Sequence, residues 1–399
     1  MVALAAFRLV CLLVVAGMLA SCSAPRTPYT AAEAGAAEVG IAGARTWGDF
    51  PQGNFGRDAA DSIRRGGRPP TYLALSGGGG DGAYGAGILN GWTRSGRRPE
   101  FNVVSGVSTG ALIAPFAFLG PRYDPLIREL YTGGDAETLL GRPSIGNALF
   151  GASIFSNEKL KQLVARHVTP DVVAEVARES TRGRMLLVLT TNLDSQRPVL
   201  WDLGAIARSG SPRAVALFRD VMVASASVPA VFPPMLIDAE AGGRSFQEMH
   251  VDGGISANVF TLPRSYLSSA SARETPVRGG RMYIVINTMP LPDFKPTEDR
   301  TTSVVGRTIG LSLNQQIRLD LQTTYEAAQK KGFSFNLTYI RPEDSAALPN
   351  TDPLGFDTER MRRLYEIGYQ RASSGTFWQS RPPDITRPAG EAGGRVASR

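Results

Sequence analysis

Apolar residues in this chain fall into short, unbroken runs. TYLALS (71–76), FNVVSG (101–106), RMLLVLTTN (184–192) and RMYIVINT (281–288) lack polar alternation, the pattern of strands buried on both faces. FSFNLTYI (333–340) alternates more and predicts an edge strand. Helical stretches lie between these runs. TGALIAPFAFL directly follows the second run, SPRAVALFRDVMVASAS precedes VPAVFPP, and DTERMRRLYEIGYQRASS closes the ordered part. Buried strands alternating with helices predict an α/β fold with a mostly parallel sheet covered on both faces. There is no internal repeat and no second domain boundary inside the body.

The two ends differ from the body. Residues 1–21 carry one charge, Arg8, ahead of the apolar core LVCLLVVAGMLA, which predicts a signal peptide too short to remain as a spanning helix. The run ends in LASC (19–22), which resembles a bacterial lipobox. That resemblance implies acylation of Cys22 and a membrane-anchored lipoprotein of the bacterial cell envelope, on the periplasmic or outer-membrane side. Residues 22–69 read as a lipid tether and lead-in, 70–380 as the folded body, and 381–399 as a disordered tail.

Composition narrows the chemistry. The 399 residues have a net charge of +7, mostly from arginine, and 43% are apolar. No dense Lys/Arg run is interleaved with aromatics, so nucleic acid is not an expected partner and the basic balance reads as a solvated surface. Both cysteines, Cys11 and Cys22, lie in the first 22 residues, which leaves the body without a disulfide framework or a cysteine metal site. No metal ligand cluster and no cofactor are expected. The chain has two histidines, His167 and His250.

LSGGGGDGAYGAG (75–87) joins the first strand to a helix. Gly80 to Gly85 spell G-x-G-x-x-G, but a dinucleotide site needs an acidic residue ending the next strand. Glu100 precedes that strand, and Asp81 would face the pyrophosphate. The glycines serve another close approach.

Gly106-Val107-Ser108-Thr109-Gly110 is a G-x-S-x-G set between an apolar strand and an apolar helix, the context of a nucleophile elbow. Such a turn exposes the serine hydroxyl beside a helix N-terminus, whose dipole favours developing negative charge. Ser108 is therefore the nucleophile candidate, and it needs a base. His167 reads as a solvated helix end. His250 would share a strand face with Asp252 but reads as structural or supporting. Asp252, at a strand end before two glycines in HVDGGISAN, is the favoured base.

LSGGGGDG, GVSTG, ASASVPAVFPP (224–234) and VDGGISAN resemble, in order and spacing, the patatin-like phospholipases over about residues 70–290. The resemblance implies a three-layer α/β/α sandwich and a serine–aspartate dyad, Ser108 with Asp252. It also implies an oxyanion hole from the backbone N–H groups of Gly77, Gly78 and Gly79. The expected activity is lipid acyl hydrolysis on membrane lipids or other acyl esters, without metal. Alternatives are a carboxylesterase, thioesterase or acyltransferase on a non-phospholipid ester, or an idle lipid-binding lipoprotein. The chain departs from the family at Asp81, where a basic residue is usual, which puts a preference for phospholipid headgroups in doubt. GAYGAG after the block is expected to add flexibility. Cys22→Ser is expected to shift the protein from the membrane to the soluble envelope fraction; unchanged membrane association would refute the anchor.

Overall fold

The computed structural model describes residues 26–50, 69–139, 153, 155–261, 279–292, 294, 296–349 and 356–384. The expected signal peptide, Cys22 and the tail from residue 385 onward lie outside these residues. The unbroken apolar runs form strands. In chain order the strands are β1 (Arg45–Trp47), β2 (Thr71–Leu75), β3 (Val103–Val107), β4 (Met185–Asn192), β5 (Arg197–Asp202), β6 (Met235–Ala241), β7 (Arg244–Asp252), β8 (Gly280–Ile286) and β9 (Phe333–Tyr339). Helices are α1 (Ala31–Ala36), α2 (Gly82–Arg94), α3 (Thr109–Leu119), α4 (Asp124–Thr132), α5 (Glu158–His167) and α6 (Pro170–Thr181), then α7 (Leu203–Arg208), α8 (Ala214–Ser225), α9 (Thr301–Lys331), α10 (Pro342–Ala346) and α11 (Thr358–Ser373).

The sheet order is β1-β5-β4-β3-β2-β8-β9. The strands from β4 to β9 along this path are parallel, while β5 and β1 add antiparallel neighbours on the other side. Every residue of β2 is buried because alternate side chains enter two different cores. Leu73 and Leu75 join the core under α2, α3, α8 and α11. Tyr72 and Ala74 join the core under α9, with Ile317, Leu321 and Ala328. A strand with no polar face belongs between two helical layers, so the protein is the expected α/β/α sandwich with a mostly parallel sheet.

The register on β4 decides where the site lies. One edge of β4 carries two strands in succession. Val107, the last residue of β3, stands opposite Leu189. Asp252, the last residue of antiparallel β7, stands opposite Thr190. The two strands thus end against each other on one edge of β4, and Ser108 follows β3 directly.

Three readings of the sequence are corrected. Within 22–69, β1 pairs with β5, and Ala44 and Trp47 are buried, so part of the lead-in belongs to the sheet. Three residues, RTW, give too short a pattern to identify a strand. The β6–β7 hairpin was not predicted, although β6 alternates buried and exposed positions throughout. Its turn is Gly242-Gly243, with φ of 58° and 76°, as two-residue hairpins require.

The third correction concerns the glycines after the glycine block, which pack instead of flexing. A Cβ on Gly87 would stand 2.0 Å from Tyr365 O, and one on Gly91 2.2 Å from Tyr369 O. From the other side, a Cβ on Gly368 would stand 2.4 Å from Tyr84 O. Helices α2 and α11 therefore touch backbone to backbone. Gly91→Ala should destabilise the protein by about 1–3 kcal/mol through overpacking. Gly306→Ala, in α9 with nothing within 4 Å of the new methyl, should stabilise it by roughly 0.5–1 kcal/mol. Urea unfolding midpoints of opposite sign check the contrast.

Candidate active site

The site lies at the carboxyl ends of the parallel strands, where open α/β sheets place their crevices. Ser108 has φ 54° and ψ −122°, a positive φ that is costly for a residue with a side chain. The elbow imposes this geometry. A Cβ at Gly106 would stand 2.4 Å from Gly110 O, and one at Gly110 2.3 Å from Leu75 O. Two glycines thus let the chain reverse between β3 and α3. The Ser108 N–H donates to Ser225 Oγ at 3.0 Å, and that hydroxyl donates to Leu189 O at 2.7 Å.

Ser108 Oγ donates to Asp252 Oδ2 at 2.5 Å. The other carboxylate oxygen, Oδ1, accepts the Gly254 N–H at 2.7 Å, and the Asp252 N–H donates to Ser227 O at 2.9 Å. The block ASASVPAVFPP therefore holds both partners, through Ser225 to the serine and through Ser227 to the aspartate. Asp252 is 4% exposed. Burial pushes its carboxyl up to about 7, against the opposing pull of its bonds from Ser108 and Gly254. No cation is among the causes of that shift, so the two bonds offset only part of the desolvation.

The glycine loop runs beside the serine. Gly78 has φ 157° and Gly79 φ 57°, and a Cβ on Gly78 would stand 2.3 Å from Asn287 O. The Gly77 N–H is already given to Asn258 O at 2.9 Å. Among the described residues the N–H groups of Gly78 and Gly79 have no acceptor, so of the three expected donors these two remain available. Asn287 braces the loop. Its Nδ2 donates to Ser76 O at 2.9 Å, its Oδ1 accepts the Gly85 N–H at 3.0 Å, and its own N–H donates to Ser76 Oγ at 2.8 Å. The sequence reading missed Asn287 and Ser225; the position of Asn287 directly after the run RMYIVI was the available signal.

His250 does not reach the serine. It is fully buried, with Nδ1 against Thr190 Oγ1 at 2.9 Å and Nε2 against Glu248 Oε2 at 3.2 Å. Burial holds its imidazole below the ordinary value. Glu248 also accepts from Arg45 of β1, Nη2 to Oε1 at 3.2 Å. Burial would raise this carboxyl, but His250 and Arg45 together keep it below the usual range. His167 departs from the solvated end expected for it, since it closes α5 half-buried and lines the site cavity.

The cavity above Ser108 measures about 640 Å³. Leu112, Phe116, Leu163, Val164, Met222 and Phe232 line an apolar part, while Asp81, Arg307 and Arg360 bring charge to the remainder. Among the described residues no group of three or more His, Cys, Asp or Glu side chains could hold a metal ion.

A doubly covered parallel sheet thus carries a strained serine, a buried carboxylate and a backbone cradle together at its carboxyl edge. Residues 73–263 match the family model described as patatin-like phospholipase. Among solved structures, VipD from Legionella pneumophila is 13% identical, covering 77% of this chain and 66% of its own, with a TM-score of 0.36. The complex of SpcU with ExoU from the type III secretion system of Pseudomonas aeruginosa gives 14% identity, coverage of 77% and 52%, and a TM-score of 0.36. The chain thus spans less than two thirds of either of these structures. No curated protein matches.

The raised Asp252 carboxyl predicts a stability change with a definite sign. Its folded value of about 7 lies above its unfolded value of 3.8, so the folded state holds this proton more tightly. The stability from that proton is complete below about pH 4 and is lost as pH rises through about 7. Asp252→Asn should therefore melt above wild type at pH 8, with the gap closing toward pH 4 in melting curves.

Proposed function

We propose that the chain hydrolyses acyl esters of lipids through an acyl-enzyme on Ser108, with Asp252 as the base. The observation that carries this reading is the 2.5 Å contact from Ser108 Oγ to Asp252 Oδ2, with no histidine between them. Asp252 accepts the hydroxyl proton as Oγ attacks the ester carbonyl carbon. The carbonyl oxygen turns negative and is held by the N–H groups of Gly78 and Gly79, with the N-terminus of α3 behind it. The C–O bond to the alcohol breaks, and Asp252 returns the proton to the leaving oxygen. Water then enters, gives its proton to Asp252 and attacks the acyl carbon. Collapse of this second intermediate frees the acid and restores Ser108. The apolar part of the cavity suits the acyl chain. We also propose that Cys22 anchors the protein to the envelope membrane, which would bring this cavity to its substrate; no helix among the described residues is long and apolar enough to cross a membrane.

Ser108→Ala is expected to lower hydrolysis of a long-chain phospholipid by at least ~10³-fold and to abolish labelling by a fluorophosphonate. His250→Gln should keep much of the rate. The base must be deprotonated, so kcat/KM should rise with pH and reach half its limit at about 7. Full activity in Ser108→Ala would sink the assignment, and complete loss in a folded His250→Gln would restore a histidine base.

A further inference from the structure

Asp81 puts a negative charge at the end of the glycine loop, and a positive one meets it there. Arg360, the third residue of α11, reaches across from the far end of the chain. Its Nε donates to Asp81 Oδ1 at 2.9 Å and its Nη2 to Asp81 Oδ2 at 3.0 Å. This is the two-pronged geometry that fits guanidinium to carboxylate. Both side chains are about four-fifths covered, and both line the cavity that holds Ser108.

Asp81 has another use available that it does not take. It precedes α2 as the N-cap residue, where an aspartate ordinarily accepts a backbone N–H of the first turn. Here its side chain makes no capping bond, and its carboxylate turns to Arg360. It also ends the 3₁₀ turn Gly79–Asp81, which carries one of the two available N–H donors. The glycine loop is thus fastened at both ends. Ser76 and Asn287 hold the start, and the Asp81–Arg360 pair holds the finish. Helices α2 and α11 already meet backbone to backbone at Gly87, Gly91 and Gly368, so the pair is not needed to join them.

We propose that Arg360 is a positioning residue for the oxyanion loop, acting through Asp81. The inference rests on the hydrolase reading given above. The pair fixes the direction of the Gly78 and Gly79 N–H groups, whose stabilisation is felt in the transition state more than in substrate binding. Loosening it lowers kcat and leaves KM in place.

The test uses the full chain with a zwitterionic phospholipid and a neutral long-chain ester. Asp81→Asn and Arg360→Gln should each reduce kcat by about 10–100-fold on both substrates, with KM within about twofold of wild type. The reversed pair, Asp81→Arg with Arg360→Asp, should recover most of kcat, because it rebuilds the bond with its ends exchanged. Unchanged kcat in both single variants overturns the inference. If the single variants melt early, the reversed pair decides: recovered melting without recovered kcat overturns the inference, and recovery of both supports it. A raised KM for the phospholipid alone in Arg360→Gln would mean that Arg360 grips the substrate, which also overturns it. Hydrolysis that persists in Ser108→Ala defeats the hydrolase reading itself. Hydrolysis that needs Ser108 but ignores Asp81→Asn defeats only this inference.

Discussion

The site depends on one edge of one strand. β4 has eight residues, more than its parallel neighbour β3 can pair with, and the excess is taken by β7 running the other way. Because β3 stops opposite Leu189 and β7 stops opposite Thr190, a serine hydroxyl and a carboxylate from distant parts of the chain arrive at the same point. Side chains alternate along strands, so a slip of one residue in either pairing would turn one of them to the opposite face. Backbone hydrogen bonds fix the geometry before either side chain chooses a rotamer.

The electrostatics follow from the same seam. Asp252 sits at the junction of two strand ends, shielded from solvent and without a cation among the influences on its carboxyl. One β7 step back along the same face, His250 engages Thr190 and Glu248, and Arg45 completes that cluster from the sheet's outer edge. The chain thus separates two buried carboxylates by environment. Glu248 has a guanidinium and an imidazole and is held ionised. Asp252 has a hydroxyl and an amide and is left near neutrality, where a proton acceptor can also give its proton back.

Much of this was legible in the sequence. The parallel strands are unbroken apolar runs, and Ser108 and Asp252 lie in short motifs whose flanks already resemble strand and helix. What escaped detection was encoded over distance or with too few residues. β1 is three residues long and gains its strand character from β5. Arg360 is one of several arginines on α11, including Arg362, Arg363 and Arg371, and only the seating of that helix on α2 selects the one that meets Asp81, 279 residues away. Asp81 was visible as a departure from the family pattern, but its compensation was not. The glycines of α2 were read as flexible because a sequence shows that side chains are missing and not what occupies the space.

The strain at Ser108 has a consequence for how the chain could have changed. A left-handed φ favours glycine, and a buried carboxyl raised to about 7 favours the uncharged amide. A protein with no use for either group would gain stability by exchanging Ser108 for Gly and Asp252 for Asn, two substitutions that random mutation readily supplies. Two neighbouring positions both hold the residue that the fold alone would reject. That shared cost is one the proposed acyl transfer would account for and an idle lipid-binding shell would not.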